Sequence, residues 1–374
     1  MFEACVIRGR RFTPAHFCAP LAGYTHSAFR RLLAELGGCG AVWTEMLAAR
    51  QILSEDFVRS PWLRRRPHEA NLVYQLMVRA GDPLDRILDK LGGHGVEAVD
   101  LNLACDAFSI RYCEAGSALF ENFDALRSVV TEARRHWPSL LSAKIRLGTR
   151  RPGWEERLAE RVKFLEEAGL DALILHPRFY EDKFKRRAQL QLIPWVASLT
   201  RLPLIANGDL ASAAQVESLA AQLAPAGAIM IGRMAIVRPW IFATWDRTSA
   251  TNLGNPYTPF GTSIGSEIPS GAFKVALSNA DTPEHHEILT PGCPMNLGAI
   301  WDKMFQYISE DFAPATALRR IQMFTKYFAA NFRFGHAFHG TISNASTLEE
   351  ARCRAQDFFS RSPEVLASPS MAEI

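Results

Sequence analysis

Cys105 stands three residues after Asn102 in the run Val99-Asp100-Leu101-Asn102-Leu103-Ala104-Cys105, and Gly116-Ser117-Ala118-Leu119 follows. An apolar strand that ends in an amide and a thiol, with a long loop returning to a small-residue turn, holds a proton donor at the mouth of a sheet. A planar substrate entering that mouth would meet a general acid. An isolated cysteine is more often a small core residue, so the chemistry depends on what the neighbouring strands bring to the same place.

Those strands are legible as short apolar runs near 15–19, 40–44, 72–76, 97–101, 141–146, 171–175, 203–206 and 227–231. Between them lie amphipathic stretches such as Ser27–Leu36, Pro83–Leu91, Trp154–Ala168 and Ala211–Leu223. This alternation predicts an α/β fold, a (β/α)8 TIM barrel over 1–245, in which functional groups cluster at the C-terminal strand ends. No GxGxxG follows the first strand, which argues against a dinucleotide-binding fold. Residues 246–296, rich in Gly, Pro, Ser, Thr and Asn, are expected to form a long insertion or linker. Helical patterns at 297–312, 314–334 and 347–360 predict a small all-helical domain over 297–362, and 363–374 reads as a flexible tail.

The strand ends supply a polar set. They are Pro20-Leu21-Ala22, Thr44-Glu45-Met46, Gln75, Asn102 with Cys105, Lys144 with Arg146, His176 with Arg178, Asn207-Gly208-Asp209, and Gly232-Arg233. The last two precede helices, where backbone N–H groups and a guanidinium can receive a phosphate dianion. Flavin mononucleotide (FMN) suits the remainder. Gln75 can bond the pyrimidine edge of its ring, and Lys144 can stabilise negative charge on the reduced ring. His176 can do the same or face the phosphate.

Composition sets the frame. The 374 residues are 48% hydrophobic and 22% charged with net charge +3, ordinary for a soluble globular chain. No apolar run is long enough to cross a bilayer, so no membrane partner is expected. Met1–Cys5 has no signal-peptide pattern, and seven scattered cysteines without a CxxC pair point to reduced thiols, a cytoplasmic setting and no metal site. A monomer is expected.

The motifs at these strand ends resemble the tRNA-dihydrouridine synthase family. The resemblance runs through Ala19–Thr25, Phe29-Arg30, Thr44-Glu45-Met46, Gln75-Leu76, Asp100-Leu101-Asn102 with Cys105, Gly116–Leu119 and Lys144–Gly148. It continues in His176-Pro177-Arg178, Ile205–Asp209 and Met230–Arg233 with Pro239-Trp240, in the family's order. It implies FMN-dependent reduction of the uracil C5=C6 bond in tRNA, with NADPH or NADH as reductant. Cys105 would then be the acid that protonates C5, and Asn102 and Arg178 would hold the uracil. Pro20, Leu21, Ala22, Gln75, Lys144, His176, Asn207, Gly208, Asp209, Gly232 and Arg233 would hold FMN. A base must leave its stack to reach such a mouth. Two other readings are an FMN oxidoreductase of a small enone or pyrimidine, and an RNA-binding relative without catalysis.

The sequence departs from the family at Ala104-Cys105-Asp106, where Gly-Cys-Pro is usual, and Asp106 is expected to help keep the proton on sulfur. Cys113 is a second thiol in the same loop. Phe179-Tyr180 and the basic run Lys183–Arg187 replace the usual continuation after Arg178. A second basic cluster is Arg59, Arg64, Arg65 and Arg66, each cluster reading equally as solvated surface or as a phosphate contact. In the helical region Arg319, Arg320, Lys326, Arg333, His336 and His339 interleave with aromatics that are expected to pack between helices.

Overall fold

The computed structural model describes residues 2–183, 185–245 and 295–369. Residues 246–294 of the expected insertion and 370–374 of the expected tail lie outside the described residues.

An antiparallel hairpin, β1 (Cys5–Ile7) and β2 (Arg10–Phe12), precedes the barrel and has no counterpart in the sequence reading. The barrel strands are β3 (His16–Cys18), β4 (Ala41–Trp43), β5 (Leu47–Ala48), β6 (Leu72–Met77), β7 (Ala98–Asn102), β8 (Leu140–Ile145), β9 (Ala172–Leu175), β10 (Leu204–Asn207) and β11 (Ala228–Ile231). All pair in parallel, and β11 pairs back to β3, so the sheet closes. β5 is not an extra stave. β4 pairs with the first half of β6 and β5 with its second half, so the two are one strand interrupted at Thr44-Glu45-Met46.

The helices around the barrel are α1 (Ser27–Leu36), α2 (Leu84–Gly93), α3 (Phe108–Tyr112), α4 (Ser117–Glu121), α5 (Phe123–His136), α6 (Trp154–Glu167), α7 (Ile193–Ser198), α8 (Ala213–Ser218), α9 (Ala220–Leu223) and α10 (Arg233–Val237). The expected helix over Ala211–Leu223 is thus two, broken at Leu219.

Side chains alternate across a strand, and the alternation sorts two apolar clusters. Leu72, Tyr74 and Leu76 of β6 join the large outer core under the helices, whereas Val73 joins Phe17, Trp43, Ala98, Leu140, Ile174, Ile205 and Met230 inside the barrel. Ile7 and Phe12 of the hairpin belong to this inner cluster and close the bottom of the barrel. Two residues further along five of these strands, the inward position turns polar: Gln75, Asp100, Ser142, His176 and Asn207, all buried. The apolar plug therefore stops half-way up, and the upper half is a polar well.

Beyond the undescribed segment come α11 (Leu297–Asp311), α12 (Pro314–Phe328), α13 (Gly335–Ser343) and α14 (Leu348–Ser360). Asn296 and Thr347 cap α11 and α14 by accepting from the amides of Ala299 and Glu350. The expected helix over 314–334 stops at Phe328 because Asn331 turns inward, donating to the carbonyls of Val237 at 2.6 Å and Phe328 at 2.9 Å. Phe324, Phe328, Phe332 and Phe338 are buried, and Phe338 stacks on Phe358 with centroids 4.1 Å apart. Their role is packing, as expected. Phe334, 66% exposed, is the exception.

One basic cluster holds the helical region to the barrel. Arg64 and Arg66 both pair with Asp311, whose buried carboxylate also accepts from the Ser27 hydroxyl. Arg59 remains 89% exposed on its side chain. Of the expected tail, Leu366 and Ala367 accept from Arg238, and the Leu366 amide donates to Asn331.

Candidate active site

Register brings the polar well together. Gln75 lies beside Asp100, Asp100 beside Ser142, and Asn102 beside Lys144 on adjacent strands. The side chains use these positions. Gln75 Nε2 donates to Asp100 at 2.8 Å, Ser142 Oγ donates to the other Asp100 oxygen at 2.7 Å, and Asn102 Nδ2 donates to Gln75 Oε1 at 2.9 Å. Burial raises the Asp100 carboxyl to about 6 against the lowering effect of these donors.

Asn102 closes the network upward. Its Oδ1 accepts from the amides of Ala104 at 3.1 Å and Cys105 at 3.0 Å. The last residue of β7 therefore folds the cysteine loop over itself. At the other end of the loop, the Ser117 amide donates to the Cys105 carbonyl at 2.9 Å. Gly116 makes that approach possible: at φ +58° it has left-handed backbone, and a Cβ there would lie 2.6 Å from the Cys105 carbonyl oxygen. Asp106 pairs with Arg146, 3.3 Å away.

Lys144 is buried, and burial, then the Arg146 charge, pull its ammonium down to about 8. Asp100 and Cys105 act in the opposite sense. A buried ammonium of this kind is stabilised by an anionic or carbonyl group. His176 lies near the same charges. Burial, followed by Lys144, Arg146, Arg178 and Arg233, holds its imidazole well below its ordinary value.

A second group centres on Asp209. Its carboxylate accepts from Arg178, from Arg233 at 3.3 Å and from the Ala188 amide at 2.7 Å. Arg178 also donates to the Lys183 carbonyl at 3.1 Å. Gly208 adjoins His176: at φ +128°, a Cβ there would stand 2.7 Å from Ala188 Cβ and 2.9 Å from the imidazole. Asn207 donates to the Met230 carbonyl at 2.8 Å, linking the seventh and eighth barrel strands. Leu21 lies against Gly232, within a turn whose carbonyl accepts from Tyr24 and Thr25, while Ala22 is exposed and Pro20 half-buried.

Asp100 and Ser142 complete the Gln75–Asn102 network, yet the sequence reading assigned neither a role. The signal was a lone aspartate inside an apolar strand. Glu45 is the other unassigned participant. It accepts from the Gly23 amide at 2.6 Å and faces Arg320 of α12 at 3.5 Å, which joins the first strand's loop to the helical region.

The dihydrouridine synthase (Dus) family model matches residues 17–270, which spans the whole barrel. The chain belongs to the dihydrouridine synthase family. Among its relatives, tRNA-dihydrouridine synthase B of Proteus vulgaris is 31% identical over 231 residues, covering 60% of this chain and 68% of that protein. The Pasteurella multocida protein of the same name is 28% identical over 236 residues, covering 62% and 68%. An old yellow enzyme homologue from Zymomonas mobilis superposes with a TM-score of 0.48 at 12% identity, covering 67% of this chain and 93% of that one.

Within this dihydrouridine synthase the replacement of Gly-Cys-Pro by Ala104-Cys105-Asp106 does not leave the loop loose. Asn102, Ser117 and Arg146 each fix one point of it.

Proposed function

We propose that this protein reduces the C5=C6 bond of uridine in tRNA to 5,6-dihydrouridine, with bound FMN and NADPH or NADH as the ultimate reductant. The observation that carries the reading is the Cys105 loop, tied by Asn102 over a layer of buried polar side chains, with the buried Lys144 beside Asn102 on the next strand. That donor set fits a flavin. A buried cation suits the charge of the reduced ring, and Gly208 lets its loop pack directly on Ala188 and the His176 imidazole, where a side chain would clash. When bound, FMN supplies the hydride that adds at uracil C6.

The chain's own groups would do the rest. Cys105 would deliver the proton to C5, so that hydride and proton together saturate the double bond. Asn102 and Arg178 would face the uracil, each held by a second bond, Asn102 on Gln75 and Arg178 on Asp209. Lys144 would stabilise negative charge on the ring, and Gln75 would bond its pyrimidine edge with the lone pair and N–H left over from its two contacts. Pro20, Leu21, Ala22, Asn207, Gly208, Asp209, Gly232 and Arg233 would enclose the remainder, the Asp209 carboxylate holding Arg233 and its backbone facing the ligand. The uridine must be turned out of the RNA fold to enter the well. The helical region over 297–362, seated on the mouth through Arg320, would orient that RNA.

The experiment is reduction of an unmodified tRNA transcript by FMN-reconstituted protein with NADPH or NADH. Dihydrouridine is then located by mass spectrometry, alongside RNA from cells lacking the protein. A new dihydrouridine in vitro at a site lost in the deletion supports the function. A colourless protein that cannot take up FMN, or an unchanged RNA map, contradicts it.

A further inference from the structure

Phe108 and Tyr112 are 85% and 82% exposed, the two most exposed large apolar side chains among the described residues. They are also the ones that touch each other. One turn apart on α3, their rings stack with centroids 6.2 Å apart and planes at 28°. No residue of α3 is buried, so packing beneath it does not explain the pair. We propose that this pair is a stacking platform for the unpaired nucleobases that flank the uridine entering the barrel mouth. The proposal rests on the reading of the substrate as RNA and names a contact beyond it.

Place is the first argument. The Ala107 carbonyl, two residues from Cys105, accepts from the Ile110 and Arg111 amides and starts the turn. A Cβ at Gly116 would lie 3.0 Å from Ile110 Cγ2 and 3.3 Å from Cys105 Cβ. The platform therefore sits beside the thiol, on the rim that a substrate strand must cross. An extruded nucleotide leaves its neighbours without a stacking partner, and any base offers a π-face to an aromatic ring.

Charge is the second. Arg111, on the same short helix, reaches the Ser117 hydroxyl at 3.5 Å and, with Arg146, acts on the buried Tyr180 hydroxyl, which itself reaches the Leu103 carbonyl at 3.5 Å. α3 thus borders the loop that continues into Lys183, Lys185, Arg186 and Arg187, all exposed. Of the nearby acids, Asp106 is paired with Arg146 and Asp182 with Arg150 and Arg186, while Glu181 and Glu114 are exposed. Aromatic faces beside a cationic stretch match a polyanion with exposed bases better than an apolar peptide.

The test compares FMN-loaded wild type, the double variant Phe108→Leu/Tyr112→Leu, and the rescue Phe108→Trp/Tyr112→Trp. Each is titrated with an unmodified tRNA transcript at several salt concentrations and assayed for KM and kcat. The leucine variant keeps the apolar bulk at exposed positions, so folding is not in question. Its Kd and KM for tRNA are expected to rise about tenfold or more, with kcat at saturating RNA retained and the salt slope unchanged, because no phosphate contact is removed. Tryptophan is expected to restore affinity. Kd and KM at wild-type values in the leucine variant, or a loss that tryptophan does not recover, would overturn the platform. RNA bound but not reduced by the wild type would contradict the proposed function and leave the platform to be judged by Kd alone. No RNA binding by the wild type would overturn both.

Discussion

Asn102 Oδ1 accepts the Cys105 amide at 3.0 Å, so the residue that ends β7 also shapes the loop that carries the thiol. The same side chain reaches down to Gln75, and through it to Asp100 and Ser142. The position of the Cys105 thiol is thereby referred to the barrel wall rather than to the loop alone.

Asn102→Leu keeps the volume and removes the acceptor from two amides and a donor from Gln75. The unmet groups should cost about 1–3 kcal/mol in the loop's ordered state. Dihydrouridine formation is expected to fall at least about tenfold, with FMN affinity changed far less. Fluorescence titration of FMN alongside a tRNA reduction assay checks the split.

Lys144 gives a pH dependence with a defined sign. Its value falls to about 8 on folding, so above that pH the folded chain holds fewer protons here than the unfolded chain, and stability rises with pH up to the ordinary lysine value. An anionic ligand prefers the ammonium, so affinity for reduced FMN should fall as pH rises through about 8. Lys144→Met should bind more weakly and lose that dependence, as anaerobic titrations across this range would report.

Asp311 holds Arg64, Arg66 and Ser27 with a buried carboxylate. Asp311→Ala strands two guanidinium groups at the junction and should destabilise the protein by about 3 kcal/mol. Denaturant melts, with proteolysis confined to the helical region below the midpoint, would reveal the loss.

Glu45 bridges the Gly23 amide and Arg320. Burial raises its carboxyl, and the Gly23 donor followed by Arg320 opposes that rise. Glu45→Gln and Arg320→Met should each weaken FMN binding through the Pro20–Gly23 turn. Their effects should be less than additive in a double-mutant cycle, because they share one contact.

Much of the barrel was legible because parallel strands buried on both faces read as continuous apolar runs. The hairpin was not, since β1 and β2 are three residues each and Arg10-Arg11 breaks the pattern. α13 was hidden by Gly335 and Gly340, which lower helix propensity, and is held by the packing of Phe338 and Ile342. Residue types at the strand ends were legible, but their partners were not. Asp100 meets Ser142 only through register, Arg66 meets Asp311 across 245 positions, and the Asp106 carboxylate pairs with Arg146.

Cys105 is proposed as the acid that protonates C5. Single-turnover reduction of unmodified tRNA by pre-reduced, FMN-loaded protein tests it directly, with Cys113→Ala as the control thiol. Cys105→Ala is expected to form dihydrouridine about 10²–10⁴-fold more slowly than wild type, while Cys113→Ala keeps the wild-type rate. A wild-type rate in Cys105→Ala would contradict the account.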